Sequence, residues 1–138
     1  MEKTLAIIKP DSFANKNCGK IINMIEEHGF DIIGMKLLHL TKEEAGEFYD
    51  DHKDQYFFDG LCDFMCSGRI IAMVLQADNA IAKWRKLMGA TDPTKAEEGT
   101  VRAAFGTAVR QNAAHGSDNA EHAKYEIAYF FSKNELFT

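Results

Sequence analysis

Asn112-Ala113-Ala114-His115-Gly116-Ser117-Asp118 sets a single histidine among small residues, immediately before a glycine and a helix-start signal. It reads as a short strand near Asn112 to His115 that leads into the final helix. Ser117 and Asp118 are both favourable N-cap residues, and Glu121 stands three places beyond Asp118, the spacing of a capping box. The helix this predicts is Asn119-Ala120-Glu121-His122-Ala123-Lys124-Tyr125-Glu126-Ile127. A helix N-terminus carries partial positive charge and unpaired N–H groups, so it favours an anion. Ala114 and Gly116 leave room beside the imidazole for a bulky reactant. His115 therefore reads as a histidine that meets phosphate, or as one packed at a strand end. For a histidine taken alone the second situation is the commoner.

Upstream, strands and helices alternate. The first strand runs from Lys3 to Ile8 and is stopped by Pro10, which cannot donate to a ladder. Ile21-Ile22-Asn23-Met24-Ile25 has helical spacing, with Gly29 as its stop. Phe30 to Leu40 reads as a long strand, and Thr41-Lys42-Glu43-Glu44 as a capping box that opens a helix through Phe48-Tyr49. A second helical piece spans Gly60 to Cys66. Arg69 to Gln76 is almost wholly apolar and belongs near the sheet centre, and Asp78-Asn79 cap a helix from Ala80 to Met88 that Gly89 ends. Thr91 to Gly99 is a polar loop, and Arg102 sits on a short turn before the last strand. Periodicity alone leaves both a parallel flavodoxin-like sheet and an antiparallel ferredoxin-like one open.

The 138 residues are 46% hydrophobic, which suits one domain, residues 1–138, burying its own core. The net charge of -5 opposes non-specific binding to nucleic acid or to an anionic membrane. No apolar stretch approaches the ~20 residues of a membrane span, and Met1-Glu2-Lys3 opens directly into a strand, so a cytoplasmic address is expected. Cys18, Cys62 and Cys66 lack zinc-site spacing and read as reduced thiols. His28 stands where a cation favours a helix C-terminus. With His39, His52 and His122 it is read as structural or surface. Gly19-Lys20 lacks the rest of a P-loop, and no protein-kinase signature set is present.

Other short motifs accompany the histidine segment, in a fixed order. Thr4-Leu5-Ala6-Ile7-Ile8 ends in Lys9-Pro10-Asp11. Phe57-Phe58-Asp59-Gly60-Leu61 precedes a helix, and Ser67-Gly68 precedes the strand Ile70-Ile71-Ala72-Met73-Val74-Leu75. Arg85, Gly89-Ala90-Thr91-Asp92-Pro93 and Gly99-Thr100-Val101-Arg102 follow. With Asn-x-x-His-Gly-Ser-Asp they make the chain, from Lys3 to about Phe131, resemble the nucleoside diphosphate kinase family.

The resemblance implies an α+β fold: a ferredoxin-like four-stranded antiparallel sheet with helices over one face. It implies an enzyme that moves the γ-phosphate from nucleoside triphosphates to diphosphates by a ping-pong exchange through phosphohistidine at His115. A neutral imidazole nitrogen can attack phosphorus directly, and cations spread over the equatorial oxygens stabilise the transition state. Lys9, Arg85 and Arg102 match phosphate-facing positions, with Thr91 as a hydroxyl donor and Tyr49 near the histidine; singly, the cations would read as surface charges. Phe57 matches the aromatic that stacks on the base, with Leu61 and Val109 closing the slot; as a bare residue it could equally belong to the core. Stacking on a π-face tolerates every base. Asn112 and Lys9 match the groups that hold the sugar hydroxyls, and Gly116 matches a substrate position beside His115.

Ser117 and Glu126 match the pair that fixes the imidazole. In continuous helix they would lie ~13 Å apart at 1.5 Å per residue, so Ser117-Asp118-Asn119 must turn before the helix begins. No direct metal ligand set is implied; Mg2+ would arrive on the nucleotide phosphates, with Asp118 near its water shell. Arg69 and Ala103-Ala104 depart from the family pattern. The short tail ending at Thr138 points to a homotetramer or a dimer. A nucleotide-binding regulatory module is the competing class, and a nucleic-acid partner protein a third. An exposed nucleophile at His115 favours the enzyme, because binding alone needs none.

Overall fold

Residues 1–138 are described by a computed structural model. Strand β1 (Glu2–Ile8) is buried from Thr4 onward, and β3 (Ile70–Ala77) is buried over most of its length. Two strands apolar on both faces must lie inside a sheet covered on both sides. The order is β2-β3-β1-β4, with β2 spanning Asp31–Leu38 and β4 Ala114–Gly116, and every pairing is antiparallel. The nearly continuous apolar stretch from Ile70 is thus interior, as its composition predicts. Register places Ile7 opposite both Ala72 and His115.

Alternation along the strands sorts the core into two layers. Ala6, Ile8, Met73 and Leu75 face α2 (Cys18–Glu27) and α5 (Ala80–Met88), meeting Ile21, Ile25 and Trp84. Leu5, Ile7, Ala72 and Val74 face the other way. They meet Ala45 and Phe48 of α3 (Lys42–Phe48), Met65 of α4 (Phe58–Met65) and Phe130 of α7 (Ala120–Phe130). The ferredoxin-like sheet stands, and its two crossover helices share one face as expected. In addition, α3, α4 and α7 cover the opposite face, because the second apolar side of β1 and β3 cannot be left to water.

Local details also depart from the sequence reading. Pro10, read only as a strand stop, begins the short helix α1 (Pro10–Ala14), where its missing N–H costs nothing. Asn79 precedes α5 at φ 53° and caps nothing with its side chain; instead Glu2 Oε1 accepts the Ile81 N–H at 2.9 Å. The Thr41 capping box forms in both directions, with Glu44 N donating to Thr41 Oγ1 at 3.1 Å and Thr41 N to Glu44 Oε1 at 2.9 Å. α7 is capped by Asn119, whose Oδ1 accepts from His122 N at 2.8 Å, and not by Ser117 or Asp118. Asn119 is extended, so the chain does turn before the helix begins.

Candidate active site

His115 is the middle residue of β4, and the alternation of that strand turns it towards the α3–α7 layer. Its ring lies edge-on to Phe48 and Tyr49, with centroids 5.4 and 5.9 Å away. Nε2 donates to Glu126 Oε1 at 2.8 Å, and Ser117 Oγ donates to the same oxygen at 2.9 Å. Ser117 Oγ also accepts from Leu5 N at 3.3 Å, which ties the pair to β1. An Nε2 that donates leaves Nδ1 of a neutral ring with its lone pair unprotonated. Nδ1 bonds to no protein group.

Ala113, two residues earlier, sits at φ 75°, a conformation uncommon for a residue with a Cβ. It is the centre of a tight turn in which Ala114 N donates to Asn112 O at 2.9 Å. Several bonds hold this strained turn in place. Ala113 N donates to Asp11 Oδ2 at 3.1 Å, and Ala113 O accepts from Lys9 N at 3.0 Å. The Arg102 guanidinium, on α6 (Val101–Phe105), donates to the carbonyls of Asn112, Gly89 and Ala114 at 3.3, 3.0 and 2.9 Å. Lys9 Nζ donates to Asn112 Oδ1 at 2.8 Å, and Asn112 Nδ2 to Thr91 O at 3.1 Å.

These groups line one cleft of about 610 Å³. Arg85, on α5, enters it from the rim, its Nη1 2.7 Å from Asp118 Oδ1. Phe57, Leu61 and Val109 form its mouth, and Val109 is 59% exposed. Burial, with the Arg102 charge beside it, pulls Lys9 down to about 8. Burial and the neighbouring Arg85 bring Arg102 down to about 10, so both remain cations at neutral pH. Tyr49 is pushed well above its ordinary range, by burial first and the Glu126 carboxylate second. Its buried hydroxyl has no partner. A histidine strand entered through the strained turn at Ala113, a free ring nitrogen and three converging cations suit a polyanion that reacts at nitrogen.

The family model described as nucleoside diphosphate kinase matches residues 2–136. The chain belongs to the nucleoside diphosphate kinase family. It is 54% identical to the nucleoside diphosphate kinase of Geobacter sp. (strain M21), over 99% of both chains. It is 51% identical to that of Chlamydia felis, over 99% of this chain and 96% of the other. Among solved structures, the Aquifex aeolicus nucleoside diphosphate kinase superposes with a TM-score of 0.96 at 41% identity, covering 98% of each chain. The halophilic Halobacterium salinarum enzyme, in complex with CDP, gives 0.95 at 38% identity, over 99% of this chain and 91% of the other. This member of the nucleoside diphosphate kinase family is accordingly an enzyme that acts on nucleotides.

In this kinase all the sequence-predicted residues except Ser117 and Glu126 line the cleft, and those two touch His115 or each other. Gly116 lines the cleft, but the space its missing Cβ leaves faces Trp84 and Met88. A Cβ there would collide with Trp84 and Met88, so the missing side chain makes room for the core and not for a reactant. Trp84 Nε1 donates to His115 O at 3.1 Å through that gap. Gly116 meets the cleft only as backbone.

Three lining residues were missed: His52, Tyr56 and Arg110. His52, read as a structural or surface residue, stacks against Tyr49 at 6.3 Å and lies 5.6 Å from Phe57. Its place between those two residues in sequence was the available signal. Asp118 is the one carboxylate lining the cleft, and no group of three His, Cys, Asp or Glu side chains converges anywhere in the chain. That donor set fits an ion whose ligands are mostly phosphate oxygens and water. No helix is long and apolar enough to cross a membrane.

Proposed function

We propose that residues 1–138 act as one catalytic domain that transfers the γ-phosphate of nucleoside triphosphates to nucleoside diphosphates through a phosphohistidine at His115. The observation that carries this reading is the bond from His115 Nε2 to Glu126, shared with Ser117. It frees Nδ1 as the nucleophile and fixes its aim. In the first half-reaction the Nδ1 lone pair forms a bond to the γ-phosphorus. The bond to the bridging oxygen breaks, and the diphosphate leaves with that electron pair. A second diphosphate then attacks the phosphorus through a terminal oxygen, and the P–N bond returns its pair to Nδ1.

Arg85, Arg102 and the Thr91 hydroxyl act on the phosphate oxygens, where charge spreads in the transition state. Tyr49 backs the imidazole ring edge-on, and its free hydroxyl is available to the transferring group. Lys9 and Asn112 hold the sugar hydroxyls, while Phe57, Leu61 and Val109 take the base between them. Mg2+ arriving with the nucleotide would supply further charge neutralisation, and Asp118 would be the residue to meet its water shell. Stacking on a face gives broad base tolerance. The position of β2 at the edge of the sheet, with Met35 and Leu37 exposed, supports a homo-oligomer; four subunits is our reading, with a dimer as the smaller alternative.

Incubation with γ-labelled ATP tests the centre of this proposal. Label is expected on the protein in an acid-labile, alkali-stable form, and His115→Gln should not acquire it. Label retained by His115→Gln at the normal rate would remove His115 as nucleophile.

A further inference from the structure

Arg110 lines the mouth of the cleft and makes no ion pair and no side-chain hydrogen bond. Its guanidinium rests on Gly60 in the first turn of α4: Cζ is 2.8 Å from the point a Cβ at Gly60 would occupy, and Nη2 is closer still. The side chain therefore crosses from the segment bearing Val109 to the helix bearing Leu61. These are the two walls of the slot that the reading above gives to the base, and the inference rests on that reading. A group that spans from wall to wall meets an edge of the base, not its face. The sugar is anchored at the buried end by Lys9 and Asn112, so the edge opposite the glycosidic bond points outward. That edge carries the 6-substituent of a purine and the 4-substituent of a pyrimidine.

We propose that Arg110, seated on Gly60, is a specificity-determining residue that favours nucleotides with a keto group at this edge over those with an amino group. A guanidinium offers only donors. At this edge guanine presents the O6 acceptor and uracil O4, whereas adenine and cytosine present an amino donor; N7 accepts in both purines and does not separate them. Donor facing donor leaves both unpaired in a partly desolvated slot, which costs more than a missing contact. Arg110 stands at the solvent-exposed mouth, so the effect is a bias and not exclusion. Glycine at position 60 is what lets the guanidinium lie this close to the helix.

Single-turnover phosphorylation of the full chain by GTP, ITP, ATP, UTP and CTP tests this. GTP over ATP and UTP over CTP should each be favoured about three- to fivefold in the second-order rate constant. ITP, which keeps O6 and lacks the 2-amino group, should behave as GTP does. Arg110→Ala should bring both ratios within about twofold of unity, and Gly60→Ala, which displaces the guanidinium, should do the same. Near-equal ratios in the unmodified enzyme overturn the inference, as does a uniform loss for all five donors in Arg110→Ala, which marks face stacking instead. ITP behaving as ATP also overturns it. Failure of every donor to phosphorylate the protein would instead remove the underlying phosphohistidine reading.

Discussion

Nε2 of His115 lies 2.8 Å from Oε1 of Glu126, an oxygen that also accepts from Ser117 Oγ at 2.9 Å. The two acceptor bonds hold the carboxylate, and the carboxylate holds the ring. Eleven residues separate the pair in sequence, and the extended turn at Asn119 is what brings α7 back over β4.

Glu126→Gln tests the tautomer. An amide can turn its NH2 towards Nε2, which moves the ring proton to Nδ1 and blocks the nucleophile. Phosphorylation should slow by about 100-fold or more, as when a triad imidazole is held in its wrong tautomer. Ser117→Ala removes one of the two bonds to Glu126 and orphans Leu5 N, so it should cost about 1–2 kcal/mol of stability as well as rate. Rapid-quench labelling alongside thermal melts separates the effects. A Glu126→Gln enzyme that labels at the normal rate would show that the ring needs no such orientation.

Arg102 has two tasks. Three of its five N–H groups go to carbonyls of Gly89, Asn112 and Ala114, leaving two for a ligand. A cation acting on phosphate alone could be removed without harm to the fold; this one cannot. Arg102→Ala should lower kcat/KM by orders of magnitude and also destabilise the protein by about 2–4 kcal/mol, since buried carbonyls lose charged partners. Denaturant unfolding beside steady-state kinetics checks both. Unchanged stability would mean that the turn at Ala113 stands without the arginine.

Lys9 gives the pH dependence. Burial and the nearby Arg102 bring it down to about 8, so the free enzyme loses this cation above that pH. Because kcat/KM reports the free enzyme, it should fall above pH about 8. At saturating nucleotide the fall should move upward, because phosphate charge favours the protonated amine. Stability runs the other way. The folded value lies below the ordinary lysine value of 10.5, so between about 8 and 10.5 the unfolded chain binds more protons. The Lys9 contribution to stability then rises with pH. Lys9→Met should flatten the alkaline limb on a lower plateau. A limb that persists unchanged in Lys9→Met belongs to another group.

Features set by neighbours in sequence were legible, and those set by distant partners were not. Thr41 and Glu44 lie three residues apart and form the capping box their spacing predicts. Ser117 and Asp118 carry the same kind of signal but are drawn elsewhere, Ser117 to Glu126 and Leu5, Asp118 to Arg85. The cap falls to Asn119. Gly116 reads as space for a reactant until Trp84 is seen to fill it. The residues around His115 could be assembled from sequence only through the family pattern, because no local spacing joins Lys9, Arg85, Arg102 and Glu126. Arg110 and His52 lie outside the motifs that carried the resemblance, and only the folded cleft brings them in.

The last prediction concerns which part of the nucleotide the pocket reads. A slot formed by Phe57, Leu61 and Val109 meets the base through its faces, so ATP, GTP, CTP and UTP should donate within about tenfold of one another, a spread of ~1.4 kcal/mol. Any keto preference set by Arg110 falls inside that range. The sugar is a different matter. Lys9 Nζ and Asn112 are already bonded to each other at 2.8 Å in a buried setting, a pair fit to bond hydroxyls and costly to leave unmatched. If the 3′-hydroxyl also reaches the oxygen that leaves with the diphosphate, its bond strengthens as charge develops there and acts on kcat. A 2′-deoxy triphosphate should therefore remain a good donor. A 3′-deoxy triphosphate should transfer at least ~100-fold more slowly, a loss of ~2.7 kcal/mol. Single-turnover phosphorylation of His115 by each donor measures this. Equal rates for 3′-deoxy and ordinary donors would end the substrate-assisted step, and a preference for one base far beyond tenfold would end the stacking slot.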